Sequence, residues 1–96
     1  MEFRERAVPA LVTLAHLLID RRCYECVPMV SSLLAVIDSR HWDQMPADER
    51  LHALRQVIPA MLHPRSMQEV LGYNDPTLKR CVEILIQEER RTIGLL

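Results

Sequence analysis

Apolar positions along this 96-residue chain fall in clusters divided by proline, glycine and charged residues, and within each cluster they recur at spacings of three and four rather than two. That period belongs to helices, and no stretch carries the alternation expected of a half-buried strand. The densest cluster is Ala7–Ile19, AVPALVTLAHLLI, where only Thr13 and His16 are polar. A helix apolar round most of its circumference has to be covered on more than one side. The pattern predicts a first helix over about 8–22, with Pro9 in its first turn, where a missing N–H costs nothing. Residues 1–6 are expected to fray or to add one turn.

Proline disfavours helical geometry in the residue before it, so Pro28 places a break near 23–27. A single long helix kinked at Pro28 is the alternative. Met29, Val30, Leu33, Leu34, Val36 and Ile37 predict a second helix over about 28–40, followed by a loop, His41–Met45. Pro46-Ala47-Asp48-Glu49 reads as a helix start, with acids against the positive end of the dipole. Leu51, Leu54, Ile58 and Met61 carry that third helix to about 62. Arg50, His52, Arg55 and Gln56 are expected on its wet face, and Pro59 is expected to kink it or end it early. Pro64 then separates a short fourth helix, about 66–71, opened by the capping-box spacing of Ser66 and Glu69 and stopped by Gly72. Asp75 caps a fifth helix with Pro76 at its first position, running to about 92. Its buried stripe is Leu78, Cys81, Val82, Leu85 and Ile86, with Ile84 beside it, and Glu88, Glu89, Arg90 and Arg91 are expected in water.

The fold class expected is therefore all-α, a compact bundle of about five helices in one domain, 1–96. Composition agrees. Phe3, Tyr24, Trp42 and Tyr73 are the only aromatics, so the core rests on Leu, Val, Ile, Met and Ala. A chain of this size buries roughly 60–70% of its unfolded surface, enough for one core. Helices 1 and 2 carry more apolar surface than such a chain easily covers. This predicts a homodimer or partner interface built from Leu11, Leu14, Leu18, Met29, Leu33, Ile37 and Trp42.

Charge and chemistry narrow the function by exclusion. The net charge is −1, and neither half is strongly basic or acidic, so there is no whole-chain basic footprint for nucleic acid. The apolar run of thirteen residues is short of the ~20 that span a bilayer. MEFRER mixes acids with bases, and no small-residue cleavage pattern follows Ile19, which leads to the expectation of a cytoplasmic protein without a leader. Three cysteines suit a reducing compartment. With only Gly72 and Gly94, no phosphate-cradling loop is available, and neither GxSxG nor HExxH occurs.

His16, His41, His52 and His63 lie on unrelated segments, and the acids Asp38, Asp43, Asp48 and Glu49 read as a solvated loop region. Cys23-Tyr24-Glu25-Cys26 is a CxxC that lacks a second ligand pair at zinc spacing and is preceded by a helix where a thioredoxin-like centre has a strand. It reads as two thiols at a helix–helix corner. No enzyme, cofactor or metal is expected, and the function expected is protein–protein interaction, as an adaptor or regulator with an apolar groove beside helices 1 and 2, or the Trp42 loop, taking a partner's amphipathic helix.

Met67–Leu85 has the grammar of a helix-turn-helix, in which Met67, Leu71, Tyr73, Leu78 and Cys81 pack two helices across Gly72. Leu71-Gly72-Tyr73-Asn74-Asp75-Pro76, with Leu78 and Arg80, resembles the second helix-turn-helix of AraC-type transcription regulators. The resemblance implies, as an alternative function, DNA binding with the fifth helix as recognition helix and Thr77, Lys79, Arg80 and Glu83 toward the major groove or its phosphates.

Overall fold

A computed structural model describes residues 2–39, 41–63, 67–72 and 74–96. Among these the chain forms five α-helices and one 3₁₀ turn: α1 Phe3–Asp20, α2 Val27–Asp38, the turn Trp42–Gln44, α3 Ala47–Leu62, α4 Met67–Leu71 and α5 Pro76–Ile93. No described helix is long and apolar enough to cross a membrane.

The first helix starts five residues before its expected start and holds Pro9 in its interior. Three contacts distant in sequence fix that extra turn. Phe3 stacks on Trp42 with ring centroids 5.5 Å apart. Arg4 donates to the Asp38 carbonyl and carboxylate at 3.1 and 2.9 Å, and Arg6 donates to Gln87 Oε1 at 2.8 Å. At the other end the chain leaves α1 through Arg22, a non-glycine residue in the left-handed region at φ 60°. The Arg22 N–H bonds the Ile19 carbonyl and the Cys23 N–H bonds that of Leu18. This is the Schellman arrangement, which satisfies orphan carbonyls and packs the residue after the left-handed one onto the last turn. It turns Cys23 into the core.

Separate helices therefore stand where one kinked helix was the alternative. Pro59 lies inside α3 without ending it, because Pro59 and Arg55, whose carbonyl loses its donor, both face solvent. At the last corner the expected signals hold. Gly72 takes φ 92°, and the Asp75 carboxylate accepts the Leu78 N–H at 2.9 Å. The Ser66 cap, the Pro64 break and the packing of Tyr73 fall outside the described residues, whereas α2 ends at Asp38, short of its expected end near 40, because Ser39 turns extended at φ −64° and ψ 147°.

α1 packs along α2 on one side and α5 on another, and α5 in turn packs along α3. The remaining seam, between α2 and α3, is sparse. The four long helices thus close on three sides and stay shallow on the fourth.

Two expectations about α1 and α2 need correction. Leu11, Leu14, Leu18, Ile37 and Trp42 are buried within this one chain, so those side chains are not free to meet a partner, and Leu33 is buried too but lines a hollow between α2 and α3. The surplus of oily surface is smaller than the sequence suggests because α5 covers the second side of α1. What remains outside on α1 is a narrow stripe, Val12 at 37% and Ile19 at 46% exposure.

Two of the side chains expected in water are likewise inside. Arg50 is 7% exposed, with its Nε lacking a hydrogen-bond partner. It precedes Leu54, Val57 and Met61 at helical spacing, and its aliphatic stem extends that stripe. Glu88 is 3% exposed and ties the loop to α5. Its Oε2 accepts from the Trp42 indole at 2.8 Å, Arg91 donates to both carboxylate oxygens at 2.6 and 2.8 Å, and the Glu88 carbonyl accepts the Thr92 hydroxyl at 2.7 Å. A buried carboxylate is tolerable when its lone pairs are met in this way.

Candidate protein-docking groove

The shallow seam between α2 and α3 forms an extended hollow of mainly apolar lining. One part, about 390 Å³, is lined by Pro28, Met29, Ser32, Leu33 and Val36 of α2 and by Ala53, Gln56 and Val57 of α3. A second part, about 580 Å³, is lined by Val36, Met45, Asp48, Glu49, His52, Ala53 and Gln56. Val36, Ala53 and Gln56 belong to both, so the two parts are one groove. The start of α2 faces the middle of α3, and the end of α2 faces its start, so the walls are antiparallel.

The groove follows from where each helix spends its large side chains. Val30, Leu33 and Ile37 are the buried residues of α2, whose dense packing is against α1. Leu54, Val57, Ile58 and Met61 serve α3, whose dense packing is against α5. The residues left for the α2–α3 seam are small or flexible: Ser32, Ala53 and the half-buried Met29 and Met45. Methionines adapt to irregular partners more readily than branched residues. The floor, Leu33 and Val57, is apolar and buried.

The rim is polar, with His52 Nε2 and Gln56 Nε2 2.8 Å apart along α3. Asp48 and Glu49, exposed in the first turn of α3, make one end acidic, and among the described residues no lysine or arginine lines either part.

Of the seven predicted interface residues, Met29 and Leu33 reach this groove; Trp42 instead lies beneath Phe3 with its N–H on Glu88. Sequence reasoning missed Val36, Met45 and Ala53 as lining residues. Val36 and Ala53 flank the buried stripes of α2 and α3 and Met45 lies in the connection between them, and nothing in the spacing distinguishes a lining position from a core flank.

Other candidate groups are dispersed. Asp38 pairs with Arg4, and Asp43 lies 3.8 Å from Arg91, so these acids do not gather with Asp48 and Glu49. His16, His41, His52 and His63 are exposed at separate places. Cys23 and Cys26 meet each other, and among the described residues no group of three or more His, Cys, Asp or Glu is placed to hold a metal. On α5, Lys79, Arg80 and Glu83 face outward, and half-buried Thr77 shares a shallow hollow with Arg80 and with Pro9, Ala10 and Thr13 of α1.

Fold and surface define an all-α five-helix bundle with an apolar, acid-ended groove between α2 and α3. Comparison with protein-family models, curated proteins and solved structures finds no match.

Proposed function

We propose that this is a non-enzymatic, cytoplasmic binding protein that receives an amphipathic helix of a partner protein in the α2–α3 groove. The supporting observation is the groove itself, with its apolar floor, its methionine walls and one acidic end. Such a groove takes a helix through apolar anchors one turn apart. The charge of Asp48 and Glu49 calls for a lysine or arginine on that helix beside the start of α3. Proteins captured from the source organism's extract by the intact chain will be lost with Ala53→Arg, which fills the groove, and kept with Val12→Glu on the far side. Equal capture by both variants overturns the reading.

Self-association has its own support in the outer stripe of α1, where Val12 and Ile19 lie exposed with half-buried Val8 alongside. A second copy meeting that stripe makes a two-fold helix pair. Light scattering will then give a dimer for the intact chain and a monomer for Val12→Glu. A monomeric intact chain removes this part.

DNA binding, the alternative, is favoured by the outward face of α5, where Lys79, Arg80 and Arg90 outnumber Glu83. It requires retardation of duplex DNA that weakens steeply with salt and falls with Arg80→Ala. No retardation at low salt eliminates it.

A further inference from the structure

We propose that Cys23 and Cys26 form a two-electron redox site, which a hydroperoxide closes to an intrachain disulfide inside the folded protein and a dithiol reopens. The sulfurs lie 3.2 Å apart, with the Cys23 thiol donating to Cys26. Both are buried, at 3% and 6% exposure. A disulfide needs about 2.05 Å between sulfurs, so closure asks for a shift of only about 1.2 Å.

The backbone is already bent to suit. The Cys26 N–H bonds the Cys23 carbonyl at 3.2 Å, closing a turn between the two residues. Left-handed Arg22 aims Cys23 inward, and Cys26 is the residue from which α2 starts.

The chemistry balances with the peroxide as sole oxidant. One sulfur attacks a peroxide oxygen and the O–O bond breaks, giving a sulfenic acid and water, or an alcohol from an organic hydroperoxide. The second sulfur attacks the sulfenic sulfur, the S–O bond breaks, and the departing hydroxide takes up the remaining thiol proton as water. The pair loses two electrons and two hydrogens, and the peroxide is reduced.

Cys81 supplies an internal control. Its thiol is also buried, but it donates to the Ala10 carbonyl at 3.3 Å rather than to a sulfur. Burial pushes the Cys81 thiol up to about 12, and burial together with the Cys26 hydrogen bond pushes Cys23 to about 12 as well. Both thiols are thus shifted in the same direction, and the neighbouring sulfur is what Cys81 lacks.

The intact chain is treated with hydrogen peroxide under native conditions, alkylated, digested and mapped by mass spectrometry, with circular dichroism recorded throughout. The expected product is one Cys23–Cys26 crosslink per chain, lacking two hydrogens, in a protein that keeps its helical signal. Dithiothreitol restores both thiols, whereas modified Cys81 accumulates as sulfinic acid that dithiothreitol does not reverse. Sulfinic acid at Cys23 or Cys26 in place of the crosslink, disulfides between chains, or crosslinking only after the helical signal is lost each overturns the proposal. Cys23→Ser and Cys26→Ser will each abolish the crosslink and expose the remaining cysteine to over-oxidation. Because the intact chain carries its own reference thiol, the result does not depend on either variant folding.

Discussion

The seam between α1 and α5 and the seam between α2 and α3 use the same kinds of residue to opposite ends. Along the first, Ala7, Ala10, Leu11 and Leu14 are almost fully buried, and the Cys81 thiol reaches the α1 backbone. Along the second, Met29, Val36, Met45 and Ala53 are only half-buried and a groove remains. The first pair of helices is remote in sequence and the second is joined by a short loop. Closeness along the chain therefore does not decide which faces merge. The decision lies in which side of each helix carries its unbroken leucine stripe.

This contrast can be broken by mutation, beginning with the closed side. Leu14→Ala removes a fully buried side chain and should lower the unfolding free energy by about 3–5 kcal/mol in denaturant titration. Glu88→Ala leaves the Trp42 indole N–H buried without its acceptor and should cost about 2 kcal/mol. Met29→Ala, in the open seam, should cost only about 1 kcal/mol, since part of its surface is already wet. Equal losses for Leu14→Ala and Met29→Ala in the same titration would abolish the distinction between the seams. The smallest effect expected is a gain. Arg22→Gly relieves the left-handed conformation at the α1–α2 corner and should stabilise by about 0.5–1 kcal/mol, read as a rise in melting temperature.

Much of the architecture was legible because its causes are local. The three-and-four spacing of Leu51, Leu54, Ile58 and Met61 locates α3, and Gly72 with Asp75-Pro76 fixes the last corner through conformations that those residues favour. What sequence reading left open, fraying or an added turn over residues 1–6, depends on contacts between distant segments. The first turn of α1 exists because Arg4 finds Asp38 and Arg6 finds Gln87, and neither partner is visible from residues 1–6.

Glu88 had a signal that went unused. It continues the stripe Leu78–Cys81–Leu85 at helical spacing, and a tryptophan elsewhere needed an acceptor. Arg50 sits on its own stripe in the same way. In both cases the charge suggested water while the spacing pointed inward, and the spacing prevailed. The groove was legible only as an expectation of uncovered apolar surface beside helix 2. Its far wall, Ala53 and Gln56 on α3, depends on how two helices are tilted, which no periodicity records.

The placement of α5 also bears on how the molecule is made. α5 is the last of the five helices to leave the ribosome, yet it supplies the second wall against α1 and the carboxylate that holds Trp42. A nascent chain stopped before residue 76 can pair α1 with α2 but leaves the α5-facing side of α1 bare. Such a product would be a natural client for chaperones and proteases, so the emergence of α5 rather than of the first hairpin sets the moment at which this bundle becomes durable.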